Sequence, residues 1–432
     1  MTKKEVRRLG DSIRSCNYDV RNEEMIARLE NYRLSFKDSI AFVYDKIDLY
    51  SNYISEKSIT TYRIKRFESI VNKLDRHKKM QLDRMWDIAG CRCILTSNKM
   101  VYKLREKLYE NLNIVKEYDY IKNPQESGYK SLHLFAKTNQ NRVVEIQLRN
   151  QRSHNWATLV EITDLLYEDR IKEKRSHTVF REFHKLLARE HELSVSQKKR
   201  VLQILRKKRY IECLDSIFTK NYLRIREKWS KLDKTTDDFY LLTTSKDKIP
   251  KIESYADFDN AEENYFNKFK NNKNANIVLT HLPNATFDKI SKAYSNYLLT
   301  YHEFTEYFMK LYEVLLIDYI KKNRIISFTN LYMQYSRLNI HNQINVIHEI
   351  NFFLQSIEDY NKNIQSKKWI SEIKGRLEKR RKKEITVLDE MYFYACKSII
   401  PLFVYKIIIN ILTNFNEYIK IREFRGDLSN GN

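Results

Sequence analysis

Glycine and proline are scarce in this chain, with six of the first and four of the second among 432 residues. Cysteine is equally sparse, at positions 16, 91, 93, 213 and 396. An odd number of cysteines with no CxxC pair argues against a disulfide framework and a zinc site, and it fits a reducing cytoplasm. Residues 1 to 20 are polar and charged, so no signal peptide is expected. The most apolar window, Ile399 to Leu412, is short for a membrane span and contains Lys406, and it is expected to be a buried helix. No internal repeat is visible.

What the chain has instead is positive charge. Lys and Arg number 79 against 56 Asp and Glu, a formal net charge of +23 that is spread over both halves. Such a balance favours partners that carry phosphate, such as nucleotides, RNA or DNA. A composition rich in Lys, Asn and Tyr also follows from an AT-rich genome. With 42% hydrophobic residues the chain can bury real cores, enough for two or three domains.

The expected fold class is an α+β N-terminal domain, a mixed sheet of roughly five strands covered by helices, followed by an all-α C-terminal domain. A long amphipathic helix is expected from Glu23 to Tyr50. Strands are expected at Ile59–Ile64, Ile88–Leu95, Ile114–Ile121, Ser131–Lys137 and Arg142–Leu148, and helices at Phe67–His77, Lys99–Leu112 and Ser153–Tyr167. The turn Thr138–Asn141 joins the last two strands. The domain boundary falls at residues 1–195 and 196–432. Thr243–Asn260 and Asn271–Phe287, which hold two of the prolines and many turn-forming residues, read as linkers. The charge run Lys379–Lys383 reads as a solvated helix face.

Against this background the run Asp119–His133, DYIKNPQESGYKSLH, is conspicuous because it contains both Pro124 and Gly128. Proline fixes φ and glycine permits a close approach, so a fixed turn presents Tyr129 as a flat aromatic face. Three further clusters precede or follow it. Arg63, Lys65, Ser69 and Lys73 leave a strand and enter a helix, where they could hold a polyphosphate. Asp87 precedes an apolar strand that carries Arg92. Glu145, Gln147 and Arg149 share one side of a strand. Asp87 and Glu145 are candidate ligands of one Mg²⁺, since a hard cation takes carboxylate oxygens and leaves room for substrate phosphates. Glu145 is equally a candidate general base, and paired strand carboxylates are also often structural.

Together, RxKxxxS at Arg63–Ser69, DxxGxR at Asp87–Arg92, DYIxxPxxxGYxSLH at Asp119–His133 and ExQxR at Glu145–Arg149 resemble the synthetase domain of the RelA/SpoT family. The following WATL, Trp156–Leu159, is similar to its small stand-alone members, and the character is closest to the toxic small alarmone synthetases. The resemblance covers roughly residues 20 to 190 and implies transfer of the β,γ-pyrophosphate of ATP to a ribose 3′-hydroxyl with Mg²⁺. Carried over by position, it places Arg63 and Arg92 around adenine and Lys65, Ser69 and Lys73 on the ATP phosphates. It gives Asp87 and Glu145 to the metal, with Glu145 facing the acceptor hydroxyl, and Tyr129 to the acceptor base. His133, Gln147, Arg149, Lys130 and His154 line the acceptor pocket.

The sequence departs from that pattern at Gln125 and Glu126, where alarmone-making members commonly carry a lysine after the loop proline. That lysine is associated with the phosphates of GDP or GTP. Its loss tilts the expectation towards an acceptor without a nearby 5′-polyphosphate, the 3′-terminal adenosine of tRNA, although Lys122 and Lys130 would serve either acceptor. Val160 stands between WATL and Glu161, which leaves that glutamate without an assigned role. The absence of a His-Asp dipeptide argues for synthesis without hydrolysis. The C-terminal domain is expected to be an antitoxin-like regulator, a tRNA-binding arm, a sensor of phage components or an oligomerisation module. Guanine or adenine nucleotides as acceptors, and a catalytically idle RNA-binding protein, are the rival readings.

Overall fold

The computed structural model describes residues 1–15, 23–167, 179–189, 193–232, 236–245, 248–271, 276–300, 304–340 and 365–429. Cys16 lies outside them. Two compact units are formed, one from residues 1–191 and 224–302, the other from 192–223 and 303–432.

The helices in chain order are α1 (Lys3–Ser15), α2 (Glu23–Leu34), α3 (Lys37–Ile54), α4 (Phe67–Arg76), α5 (Asn98–Asn111), α6 (Gln151–Tyr167), α7 (Val179–Leu187), α8 (Val195–Lys207) and α9 (Tyr210–Ser230). They continue with α10 (Phe258–Asn271), α11 (Phe287–Ala293), α12 (Ser295–Leu298), α13 (Phe304–Lys321), α14 (325–340), α15 (Gln365–Cys396) and α16 (Leu402–Ser429). The strands are β1 (Ile59–Ile64), β2 (Ala89–Leu95), β3 (Ile114–Asp119), β4 (Leu132–Lys137), β5 (Val143–Asn150), β6 (Phe239–Ser245), β7 (Lys248–Tyr255) and β8 (Asn276–His281).

In the first unit the strands make one sheet in the order β3-β4-β5-β2-β1-β8-β6-β7. Only β2 and β5 run parallel; the other neighbours are antiparallel. Because side chains alternate across a strand, β1, β2, β4 and β5 each divide into an apolar and a polar row. Ile64, Cys91, Cys93, Leu132, Leu134, Ile146 and Leu148 are buried in one core with Ile40, Val43 and Ile47 of α3 and Leu104 and Leu108 of α5. The polar row lies on the opposite face, and the alternation that builds the core therefore builds the site.

The expected class holds, a sheet covered by helices followed by a helical region, but the sheet has eight strands where about five were expected. Of the three additional strands, β7 and β8 lie within the stretches read as linkers and β6 runs into the first of them. Pro250 sits in β7, which is the sheet's edge, the position where a strand tolerates a residue without an N–H. The first unit accordingly resumes at residue 224 instead of ending near 195.

The long helix expected over Glu23–Tyr50 is two helices, α2 and α3, parted at Ser35–Phe36. The break lets Phe36 turn inward, edge-on to Tyr32 with ring centroids 5.4 Å apart. It also leaves Arg33 buried, its Nη1 donating to Glu262 Oε1 of α10 at 2.7 Å and its Nε to the Lys65 carbonyl at 3.0 Å.

The regular elements among the second unit's described residues are all helices. Ser194 and Gln197 form a reciprocal cap at the start of α8. Phe308, Tyr312, Leu315 and Leu316 of α13 are buried, and Phe328 of α14 meets Tyr405 of α16 edge-on at 5.1 Å. The window Ile399–Leu412 is amphipathic instead of wholly buried: Tyr405 and Ile409 face inward while Phe403, Ile407 and Ile411 are exposed. In the charge run, Lys382 and Lys383 are exposed, while the side chains of 379–381 lie outside the described residues. No helix among the described residues is long and apolar enough to cross a membrane.

Candidate active site

The polar row can be followed strand by strand. Register places Arg63 opposite Gly90, Gly90 beside Glu145, Arg92 beside Gln147, and both His133 with Gln147 and Phe135 with Glu145. Paired residues share a face, so four clusters far apart in sequence converge on one surface.

Asp87 stands just before β2, where Lys65 at the end of β1 and Lys73 of α4 both reach it. Their Nζ atoms each lie 2.8 Å from Asp87 Oδ2. Burial pushes this carboxyl up, but the two ammonium groups more than offset it and hold it down to about 2. Burial in turn draws Lys65 below its ordinary value, against the opposing pull of Asp87. Ser69 lies one helical turn before Lys73, on the half-exposed side of α4, whose other side buries Phe67, Ile70 and Leu74.

The Asp119–His133 loop is a built turn. Asp119 Oδ1 accepts from the Ile121 and Lys122 amides at 3.0 Å each, and the Gly128 amide donates to the Gln125 carbonyl at 2.8 Å. Gly128 has φ of 96°, and a Cβ there would collide with that of Ala188, so both the turn and the close approach require glycine. Tyr129 is half-buried, with the Arg149 guanidinium 5.0 Å from its ring centroid, and its hydroxyl is not free. Arg149 Nη2 donates to it at 2.5 Å, and it shares a 2.8 Å hydrogen bond with His133 Nε2. His133 Nδ1 then meets Glu145 Oε1 at 2.9 Å, and Gln147 Nε2 donates to Glu145 Oε2 at 2.9 Å.

These contacts set the charges. Burial alone would raise the Tyr129 phenol, yet Arg149 and His133 hold it down to about 8. Burial likewise works against the charged forms of Glu145 and His133, and their mutual hydrogen bond prevails, lowering the carboxyl and raising the imidazole. Arg92 is pushed down to about 10 by burial and then by Arg149 and Arg63, and its Nε has no hydrogen-bond partner. A close cluster of arginines of this kind is suited to an electron-rich ring or to phosphate.

The donor set fits a small hard cation. Asp87 Oδ1 is buried without a hydrogen-bond partner, and Asp87 acts electrostatically on Glu145. No group of three or more His, Cys, Asp or Glu poised to hold a metal occurs among the described residues.

Two expected residues stand apart from the cluster. Lys130 is half-exposed and makes none of its hydrogen bonds. His154 is fully buried and pairs through Nε2 with the Lys292 carbonyl of α11 at 2.8 Å. Several contributors carry no local sequence signal. Ser131 accepts from Arg149 Nε at 3.4 Å. Tyr294 donates to Thr61 of β1 at 3.3 Å and shares a 2.6 Å hydrogen bond with Thr280 of β8, and Asn296 donates to Glu161. The α11–α12 segment therefore lies against the polar face next to the arginines. Glu126, in the loop, pairs with Arg181 of α7 at 3.4 Å.

Residues 62–172 match the family described as the region found in RelA/SpoT proteins. The GTP pyrophosphokinase YwaC of Bacillus subtilis is 35% identical over 164 residues, covering 34% of this chain and 76% of that protein. The chain belongs to the RelA/SpoT family. Another relative, the GTP pyrophosphokinase YjbM of Bacillus subtilis, is 30% identical over 137 residues, 29% of this chain and 64% of that protein. The solved small alarmone synthetase 2 of Bacillus subtilis aligns with 42% of this chain and 98% of its own at 30% identity, with a TM-score of 0.31. The RelA/SpoT match thus falls on the part of the chain that carries β1 to β5 and α6.

Proposed function

We propose that this chain is an ATP-dependent pyrophosphokinase whose acceptor is the 3′-hydroxyl of the terminal adenosine of tRNA, and that it arrests translation when active. The observation that carries the first half is the convergence of Asp87, Lys65 and Lys73 with Glu145 and Tyr129 on one polar sheet face. The acceptor oxygen attacks the β-phosphorus of ATP, the bond from the bridging oxygen to that phosphorus breaks, and AMP leaves. The hydroxyl proton passes to Glu145, whose lowered pKa keeps it ionised and ready to accept. Lys65 and Lys73 transfer their charge from Asp87 to the phosphates, and Arg63 and Arg92 flank adenine. Asp87 and Glu145 would hold Mg²⁺, which would supply charge neutralisation to the phosphate oxygens. Tyr129 supplies a ring for the acceptor base, and His133, Gln147 and Arg149 fix that ring and the base.

The acceptor half rests on the loop. Gln125 is exposed and neutral, and Glu126 is an anion paired with Arg181, so the position after Pro124 offers no cation to a 5′-polyphosphate. A second reading, an alarmone synthetase using GDP, GTP or adenine nucleotides, is favoured by the relatives, which are GTP pyrophosphokinases. The C-terminal part is proposed to regulate the enzyme, as an antitoxin-like element responsive to a phage-derived trigger. Within the sheet-bearing unit itself, Tyr294 is hydrogen-bonded to Thr61 beside Arg63 and Arg92, which supports a restraint by the α11–α12 segment on the proposed adenine side.

Purified protein given γ-labelled ATP and Mg²⁺, with tRNA and guanine nucleotides in separate reactions, tests both halves. Label on the tRNA 3′ end is expected. Label on GDP or GTP alone would establish the second reading, and no transfer to any acceptor would leave an RNA-binding protein.

A further inference from the structure

Beyond Glu145, towards the open edge of the sheet, the polar face turns aromatic. Register pairs Tyr118 of β3 with His133 and Lys116 with Phe135, which itself pairs with Glu145, so all share the face of the candidate site. Trp86, adjacent to Asp87, meets the Phe135 ring at 5.7 Å, and Phe135 meets Tyr118 at 6.0 Å. Tyr118 stacks on Tyr120 at 5.9 Å with planes 12° apart, and Tyr120 reaches Tyr129 at 6.0 Å and His133 at 5.3 Å. The Lys116 ammonium sits 4.7 Å from the Tyr118 ring and 5.8 Å from that of Trp86.

Core packing does not account for this row. The core lies on the other face, and Trp86, just before β2, and Tyr118, on the edge strand β3, are 37% and 39% exposed. An acceptor mononucleotide has one base, which Tyr129 takes, and it leaves the neighbouring rings without an occupant. A polynucleotide has a next base and a linking phosphate, which call for an adjoining aromatic ring and a cation.

We propose that Tyr118, Tyr120 and Trp86, with Lys116, form a shelf that stacks the penultimate base of a single-stranded RNA 3′ end while its terminal base lies on Tyr129. The shelf rests on the pyrophosphokinase reading with an RNA acceptor, and it makes the enzyme discriminate a polynucleotide end from a free nucleotide by the second base.

The test uses the full chain, labelled ATP and short RNAs ending in adenosine that differ only in whether the penultimate nucleotide carries a base or is abasic. Wild type is expected to prefer the base-bearing RNA about tenfold in kcat/KM. Tyr118→Ala should lose that preference and Tyr118→Phe should keep it. Equal use of both RNAs by wild type would overturn the shelf while the RNA acceptor stands. Transfer to mononucleotides but to no RNA would overturn the RNA acceptor and the shelf together.

Discussion

His133 Nδ1 lies 2.9 Å from Glu145 Oε1, so the group assigned to accept the acceptor's proton is already paired with an imidazole. The two groups move apart in pKa, the carboxyl downward and the imidazole upward, each against the effect of burial. A raised imidazole stabilises the fold fully below its unfolded pKa, about 6.5, and that contribution is lost as pH rises through the folded value. A lowered carboxyl stabilises above about 4.3 and loses its contribution as pH falls through the folded value. His133→Gln removes the partner and leaves burial to push Glu145 up. The acid limb of the kcat/KM profile for pyrophosphate transfer should move to higher pH, and an unmoved limb would show that His133 does not set the base.

Tyr129, held down to about 8, is expected to titrate well below ordinary tyrosines. A depressed phenol contributes stability that is complete above its unfolded pKa of about 10 and absent below the folded value, so nothing is gained at neutral pH. Difference absorbance of tyrosinate between wild type and Tyr129→Phe should show one group ionising near 8. The same titration in Arg149→Gln should show it displaced upward.

Asp87→Asn removes the shared anion of Lys65 and Lys73 and one proposed metal oxygen. Transfer should fall by about two to three orders of magnitude, the usual scale for losing a charge-stabilising group, while circular dichroism remains that of wild type. Retained transfer at near wild-type rate would remove Asp87 from the site.

Glu262→Ala strands Arg33, whose side chain is 1% exposed, as an unpaired buried cation. Breaking such a pair costs about 3–5 kcal/mol, read as a lower urea midpoint. The double variant Arg33→Met with Glu262→Leu should recover most of that loss, because the pair's desolvation cost disappears with it.

Tyr294→Phe removes the hydroxyl that bonds Thr61 and Thr280. If the α11–α12 segment restrains the nucleotide side, KM for ATP should fall and the transfer rate at low ATP should rise several-fold. An unchanged KM would assign Tyr294 to packing alone.

The strands β1 to β5 were legible to within a residue or two at most ends, because a half-buried strand writes its two faces into the sequence as alternation. The same alternation put Glu145, Gln147 and Arg149 on one side. The strands β6 to β8 were not legible, since Pro250 and the turn-forming residues around them look like linker when edge placement is unknown. Arg33 and Glu262 stand 229 positions apart, and no local pattern links an arginine in one helix to a glutamate in another. The burial of His154 towards α11 is likewise a long-range event, 138 positions from its partner.

The bond from Thr280 to the Tyr62 carbonyl joins β8 to β1 across 218 positions, which has a consequence for how the protein is made. A ribosome completes Arg63, Asp87, Tyr129 and Glu145 long before it reaches Thr280 and Tyr294. Until then β1 has no partner on its β8 side. The strand that covers the β1 edge and the segment lying against the polar face beside the arginines therefore arrive in the same stretch of synthesis.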